Sequence, residues 1–132
     1  MREIKLTKEE LLQMKEVYTE IMSYASSGLF YRAGEKIGVI LSKGVSKDNY
    51  FEEFAKILKD RGWVKEIEFT EEHVKVKGSV EVHPSKIATC DILRGIMRGI
   101  YENYYQTIVK VDEIKCESLG DDYCLFKIRR VK

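Results

Sequence analysis

Three cysteines and a glutamate in the C-terminal half of the chain have a spacing that suits metal binding. Cys116 and Cys124 flank a turn in the segment DEIKCESLGDDYC, residues 112–124. Cys90 stands at the start of a predicted helix, and Glu113 precedes Cys116 by three residues, which gives the pattern C-x22-E-x2-C-x7-C. Three thiolates and a carboxylate suit a tetrahedral Zn²⁺, and four protein ligands leave no open position on the ion. The pattern therefore predicts a structural zinc site.

Hairpin geometry supports the pairing of the two later cysteines. If the turn centres on Gly120, Cys116 lies directly across from Cys124. Directly opposed residues share one face of a sheet, with Cβ atoms about 4.5–5.5 Å apart. The same register places Ile114 opposite Phe126, so we expect this face, thiols included, to point toward the core.

A β-bulge is predicted in the strand that leads to this turn. Val109 and Val111 mark odd positions as apolar, whereas from Ile114 onward the even positions are apolar. A change of parity inside one strand is what a bulge produces. We expect it at Asp112 and Glu113, where it would turn the Glu113 carboxylate toward the thiols.

Other interpretations of the same residues stay open at this point. His83 or His73 could replace Glu113 as the fourth ligand. Cys116 and Cys124 could instead pack as small hydrophobic side chains or form a cross-strand disulfide. A catalytic cysteine is disfavoured, because neither histidine has a spacing that suggests it as the base.

Length and composition predict a single cytoplasmic domain over residues 1–132. The chain is 44% hydrophobic, and its 23 basic and 22 acidic residues are interleaved, so no basic face favours nucleic acid. We find no signal peptide, and the longest apolar run is too short for a membrane span. Cytoplasmic thiols stay reduced, which favours a metal over a disulfide. Abundant Lys, Glu and Ile with only two Gln are typical of a thermophile.

Hydrophobic periodicity predicts an α+β domain with the element order αααββαββ. Thr7 and Glu10 form a capping box before the first helix. Period-two alternation then marks four strands in two hairpins, which we expect to form one antiparallel sheet with the helices packed on it. The predicted helices cover 8–25, 29–42, a segment from Asp48 to Gly62, and 88–105; the predicted strands cover 63–69, 73–82, 107–118 and 122–131.

An apolar ligand pocket is predicted between the third helix, the sheet and the long helix. Aromatic side chains at such spacing also occur in plain cores, so this set has two interpretations. We find no glycine-rich phosphate loop and no flavin or nicotinamide fingerprint. The candidate lining residues are Phe51, Phe54, Leu58, Trp63, Phe69, Ile96 and Tyr101.

The segment from His83 to Ile128 resembles the 4-vinyl reductase domain. The family pattern is a Cys before a Gly-containing helix, a strand ending E-x-x-C, and then G-D-x-x-C. The matching residues are Cys90, Glu113, Cys116, Gly120, Asp121 and Cys124. The resemblance implies a small-molecule-binding domain, related to sensor domains of aromatic-responsive bacterial activators and, in fold, to TRAPP-type subunits. It also implies that the same three cysteines and the glutamate hold zinc.

The resemblance leaves three functions to compare. The first is a binding or sensing domain for a hydrophobic molecule, acting through an unidentified signalling partner. The second is a reductase-like enzyme or accessory factor acting on vinyl groups of tetrapyrroles, and the third is a dimeric scaffold. Phenol is not implied, because no histidine matches those with which aromatic sensors hold it.

The family also implies a homodimer, which we expect to form through the N-terminal helices. These helices carry more apolar residues than one sheet face can cover. Gly34 and Gly38 lie one turn apart and would permit close helix contact. The positions expected at the interface are Leu29, Phe30, Ile37 and Ile40.

Overall fold

Residues 2–131 are described by a computed structural model, and they contain four α-helices and four strands in the predicted order. The α+β class and the antiparallel sheet are confirmed. A short 3-10 turn, Glu117–Leu119, lies between the last two strands. The elements are α1 Lys8–Met22, α2 Ala25–Ser42, α3 Tyr50–Asp60, β1 Glu66–Phe69, β2 His73–Lys77, α4 Asp91–Tyr105, β3 Val109–Lys115 and β4 Cys124–Arg130.

The sheet has the order β1-β2-β4-β3, with each neighbouring pair antiparallel. The two hairpins meet where β2 pairs with β4, and Val76 of β2 lies opposite Cys124 of β4. Strand β2 ends at Lys77, although its alternating pattern continues to Val82. Gly78 has φ +69°, and this conformation turns the chain out of the sheet. The predicted strand over 73–82 is therefore too long.

The bulge in β3 lies at Ile114, one position later than the sequence pattern suggests. Glu113 pairs with Phe126 and Lys115 pairs with Leu125, and the register shifts between these two pairs. Ile114 is 51% exposed, so its predicted pairing with Phe126 is wrong. Because Ile114 is the extra residue, Glu113 stays on the core face and Cys116 returns to it.

Helix α4 lies between the sheet and α2. Its contact with α2 is made by glycines on both helices. A Cβ added at Gly34 would overlap the Ile92 carbonyl oxygen, and one at Gly38 would lie 2.5 Å from the Ile96 oxygen. A Cβ at Gly99 would lie 2.8 Å from a backbone oxygen of α2. The close helix contact expected at a dimer interface for Gly34 and Gly38 is therefore made within the chain.

Helix α1 is tied to the start of α4 by a buried ion pair. Lys15 Nζ lies 2.7 Å from Glu81 Oε1 and donates to the Thr89 carbonyl at 2.7 Å. The Glu81 carboxylate, fully buried, also accepts hydrogen bonds from the backbone N–H groups of Ile92 and Leu93. Burial raises the pKa of Glu81, while the Lys15 ammonium and these two amides oppose that shift.

The boundary between α1 and α2 differs from the predicted one. Helix α1 ends at Met22 because Ser23 adopts φ 54°, and α2 begins at Ala25, four residues earlier than expected. The capping box is confirmed, since the Glu10 N–H donates to Thr7 Oγ1 at 3.1 Å. None of the helices in the described residues is both long and apolar enough to cross a membrane.

Candidate metal centre

Four side chains from three elements meet at one end of the sheet. Cys90 is the N-cap of α4, Glu113 is near the end of β3, Cys116 follows β3 and Cys124 begins β4. One ligand atom from each of these residues lies within 4.8 Å of the others. The three cysteines are buried and unbridged, and Glu113 is half-buried. The structure thus brings together all four residues that the sequence singles out.

The distances in this Cys3Glu cluster fit a tetrahedral zinc ion. Cys90 Sγ and Cys124 Sγ are 3.8 Å apart. A tetrahedral ion with Zn–S bonds of about 2.3 Å places its sulfur ligands about 3.8 Å from one another. Glu113 Oε1 accepts a hydrogen bond from the Cys90 N–H at 3.1 Å, whereas the buried Glu113 Oε2 has no partner among the described residues. A bound cation would satisfy that oxygen, as buried polar atoms require.

The turn between Cys116 and Cys124 fixes where the first of these thiols points. Gly120 has φ +98°, a conformation that other residues rarely adopt, and it closes the turn. Asp121 Oδ2 accepts a hydrogen bond from the Cys116 N–H at 2.9 Å. The Glu117 N–H points at Cys124 Sγ from 3.4 Å. The G-D step of the sequence motif therefore positions a ligand.

Hydroxyl groups surround the sulfur atoms on the core side. Ser79 Oγ lies 3.2 Å from Cys90 Sγ, and Thr89 Oγ1 lies 3.8 Å from Cys116 Sγ. Thr89 is itself hydrogen-bonded to Ser118 Oγ at 2.5 Å. Such outer contacts orient metal ligands and stabilise the thiolate form. The sequence pattern did not indicate Ser79 or Thr89, because neither belongs to the cysteine motif.

The two histidines considered as alternative ligands lie outside the Cys3Glu cluster. His83 is exposed, and its ring Nδ1 lies 3.2 Å from the Glu81 carbonyl oxygen. His73 begins β2 opposite Lys127. Glu113 is thus the fourth group that accompanies the three thiols.

The residues predicted to line a ligand pocket pack against one another in the core. The rings of Phe51 and Phe69 stack with centroids 5.2 Å apart, and Phe51 lies 5.0 Å from Tyr101. The Tyr101 hydroxyl donates to the Thr70 carbonyl at 2.6 Å. Trp63 is half-buried at the edge of this core. Four members of the set are fully buried, namely Phe54, Leu58, Ile96 and Tyr101.

A cleft of about 670 Å³ lies elsewhere, beside the Cys3Glu cluster. It is bordered by the start of α1, the end of α3, and the segment that follows β2. Two of its wall residues contact the cluster directly. Ser79 Oγ lies beside Cys90, and Glu117 Oε1 lies 3.8 Å from Cys124 Sγ while accepting the Gly78 N–H at 2.9 Å. The sequence pattern missed this cleft, since its walls come from segments that are far apart in the chain.

Comparison with known families identifies the part of the chain that holds the cluster. Residues 72–130 match the model of the vinyl-4-reductase domain. These residues belong to the vinyl-4-reductase domain family. An uncharacterised protein of Methanocaldococcus jannaschii is 32% identical over 109 residues, which are 76% of this chain and 63% of that protein. A second uncharacterised protein of that organism is 46% identical over 43 residues, 33% of this chain and 24% of its own length. The chain thus spans less than two thirds of these relatives.

Solved structures show the vinyl-4-reductase fold over nearly the whole chain. The phenol-responsive sensory domain of the transcription activator PoxR superimposes with a TM-score of 0.79 at 18% identity, covering 98% of this chain and 77% of that one. A vinyl-4-reductase family protein from Methanocaldococcus jannaschii gives 0.71 at 21% identity, with coverages of 100% and 85%. A trafficking protein particle complex subunit 3 from Naegleria fowleri, covalently bound to palmitic acid, gives 0.64 at 18%, with 95% of both chains covered. These similarities show a shared fold.

Proton affinities in the Cys3Glu cluster of this vinyl-4-reductase domain are strongly coupled. Burial, and then the charge of Cys116, raise the pKa of Glu113 to about 8. Hydrogen bonds from the thiols of Cys124 and Cys90 lower the pKa of Cys116. The same hydrogen bonds to Cys116 raise the pKa values of Cys90 and Cys124. Glu113 and Cys116 therefore share one negative charge near neutral pH, and a metal ion that binds all four ligands must displace the remaining protons.

We expect Glu113→Gln to change the pH dependence of zinc binding as well as its strength. Affinity should rise with pH, because zinc competes with protons for its ligands. Between pH 4.5 and about 8, the wild-type cluster carries one more proton than the variant. The logarithm of the association constant, measured by chelator competition, should rise by about three per pH unit in the wild type and by about two in Glu113→Gln. Asp112→Asn, at the adjacent residue outside the cluster, should keep the wild-type slope; equal slopes for wild type and Glu113→Gln would exclude Glu113 as a ligand.

Proposed function

We propose that this chain is a regulatory domain that binds a small hydrophobic molecule and is stabilised by a structural zinc ion. The cleft of about 670 Å³ beside the Cys3Glu cluster is the observation that carries this proposal. Small-molecule sites have volumes of about 300–1,000 Å³. The vinyl-4-reductase family match, and the fold shared with a phenol-responsive sensory domain, support a sensing role for residues 1–132 as one domain.

Zinc is proposed at the Cys3Glu cluster because the sulfur spacing and the unpartnered Glu113 oxygen both suit it. Four protein ligands leave no position for a substrate, so the ion would act structurally. It would hold together the start of α4, the end of β3 and the start of β4. These elements form the core of the fold, and zinc would therefore make its largest contribution to stability.

The proposed ligand site lies close enough to the cluster to affect it. Ser79 and Glu117 each line the cleft and contact a cysteine, so a ligand against them would meet the environment of Cys90 and Cys124. The aromatic set predicted from sequence is an alternative site. A ligand there would require the stacked rings of Phe51 and Phe69 to separate.

Native mass spectrometry of freshly purified protein tests this proposal, since it reports metal, ligand and subunit number together. We expect one zinc ion per chain, and a bound small molecule in part of the population. Elemental analysis of protein purified without added metal should agree. Folded, reduced protein with almost no zinc would overturn the metal assignment, and protein that binds no small molecule from an apolar metabolite extract would overturn the sensing role.

A homodimer is proposed through the outer faces of α1 and α2. These faces carry a continuous set of exposed apolar side chains, and patches of this kind are typical of interaction sites. Phe30 and Ile37, two of the positions expected at the interface, instead pack against the monomer core. Leu29 is 49% exposed and Ile40 is 63% exposed, so these two remain available. The exposed set on α1 is Met14, Val17, Tyr18 and Ile21.

We expect Ile40→Glu to convert the dimer to a monomer without unfolding it. A charge placed at the centre of an apolar interface is strongly unfavourable, while the exposed position of Ile40 protects the monomer core. Light scattering at several concentrations gives the subunit number, and circular dichroism checks the fold. Lys110→Glu, on the exposed edge of β3, should remain dimeric. Wild-type protein that is monomeric at the highest concentration tested would contradict the dimer.

A further inference from the structure

We propose that the cleft beside the Cys3Glu cluster binds an amphipathic organic anion, namely a carboxylate on an aromatic or branched aliphatic body. This inference rests on the proposed ligand-binding function and specifies the class of ligand. It follows from the charge at the rim of the cleft, the apolar character of its floor, and the way in which one lysine is held.

The rim of the cleft carries an excess of positive charge. Lys8 from α1, Lys59 from α3 and Lys65 before β1 all line it, against a single carboxylate, that of Glu117. Within residues 2–131, none of these three lysines forms an ion pair. The Glu117 carboxylate is engaged by the Gly78 N–H and lies beside the Cys124 thiol. The lysine ammonium groups are thus free to meet the charge of a ligand.

The floor of the cleft is apolar. Val64, Val80 and Val82 line it, and Val64 is only 4% exposed. A ligand that is charged throughout would leave these side chains without an apolar partner, and a neutral ligand would leave the three ammonium groups unpaired. An apolar body with one acidic group complements both features.

Gly78 holds the side chain of Lys65 against the wall. A Cβ at Gly78 would lie 2.6 Å from Lys65 Cγ and Cδ, so the lysine stem packs on the bare backbone of this glycine. The stem is therefore partly ordered before a ligand arrives. Ordering a long side chain in advance lowers the conformational cost of binding.

The test compares two probes of the same shape on the zinc-loaded full chain. 2-Naphthoate carries a carboxylate on an apolar body, and 2-naphthalenemethanol carries a neutral hydroxyl on the same body. Calorimetry gives the affinities, and amide chemical shifts locate the site. We expect 2-naphthoate to bind more tightly, with shift changes at Val64, Val80 and Val82, and its binding to weaken as salt is added.

Substitution of the lysines supplies the matched comparison. We expect the double variant Lys59→Gln, Lys65→Gln to weaken 2-naphthoate binding about fivefold, while leaving 2-naphthalenemethanol unchanged. Lys56→Gln lies on the exposed side of the same helix α3, outside the cleft, and should bind 2-naphthoate as the wild type does.

Four results would overturn the inference. Equal binding of the two probes, or equal weakening by Lys56→Gln, would remove the role of the rim charge. Shift changes centred on Phe51, Phe69 and Tyr101 would place the ligand in the aromatic core; this would overturn the cleft assignment and leave the proposed sensing function standing. Absence of binding by either probe would overturn the inference, and mass spectrometry of the purified protein would then decide the proposed function separately.

Discussion

Gly95→Ala is expected to unfold the protein, or to leave it so unstable that it unfolds in low concentrations of urea. A Cβ at Gly95 would overlap the Tyr31 carbonyl oxygen and would lie 2.8 Å from the Glu35 nitrogen and 2.9 Å from Gly34 Cα. All three are backbone atoms, so no side chain can rotate out of the way, and α2 and α4 would have to separate. Overpacking of this kind costs about 3 kcal/mol or more, a large part of the stability of a small domain.

Gly28→Ala is the matched control for this substitution. Gly28 lies in α2, and a Cβ at this position would have no neighbour within 4 Å. Alanine is more favourable than glycine in a helix by about 0.5–1 kcal/mol, so the control should be slightly more stable than the wild type. Urea titrations followed by circular dichroism give both values. Equal midpoints for the two variants would show that the two helices do not rely on backbone contact at Gly95.

Cys116→Ala is expected to release the metal and to lower the thermal stability of the protein. The variant removes one of four ligands, and the zinc that remains would be under-coordinated. An ion present at about a thousandfold above its Kd stabilises the folded state by about 4 kcal/mol, and we expect a loss of this order. Because the domain has its own buried core, the variant should remain folded at low temperature. Differential scanning calorimetry with zinc analysis measures both effects.

A chelator provides the internal control for Cys116→Ala. Treatment with a strong chelator should lower the Tm of the wild type toward that of the variant, and it should leave the Tm of the variant unchanged. If Cys116→Ala keeps a full equivalent of zinc and the wild-type Tm, Cys116 is not a ligand. A variant that loses zinc but keeps its Tm would instead show that the metal does not stabilise the fold.

The sequence was sufficient to predict the metal cluster because its signals are local or depend on simple counting. Hairpin pairing around Gly120 brings Cys116 and Cys124 together, and the register of Lys115 with Leu125 agrees with that pairing. The capping box at Thr7 depends on residues three apart. Alternation and helical periodicity then gave the order of the elements. These features need no knowledge of distant parts of the chain.

The position of the bulge could not be predicted, because parity alone does not locate the extra residue. The apolar side chain of Ile114 suggested a core position, but the structure places it in the exposed bulge. A bulge shifts the pattern in the same way wherever it falls between Val111 and Cys116. The hydrogen-bonding partners on β4 decide the position, and they are not visible in the strand itself.

The remaining features depend on contacts between distant segments. Gly34 and Gly38 have a spacing that permits a close helix contact, but the sequence does not say whether the other helix is α4 or a second subunit. Lys15 lies 66 residues from Glu81, and nothing in either segment indicates this pairing. The cleft is formed by α1, α3 and the segment after β2, so its lysines resemble ordinary surface residues in the sequence.

The glycine contact between α2 and α4 has a mechanical consequence. Backbone touches backbone at Gly34, Gly95 and Gly99, with no intervening side chain that could absorb a displacement by changing its rotamer. The two helices must therefore move as one rigid lever. Cys90 caps one end of α4, so the cluster lies at the end of that lever. A tilt of α4 imposed there would be delivered undamped to the opposite face of α2, where Ile40 meets the solvent.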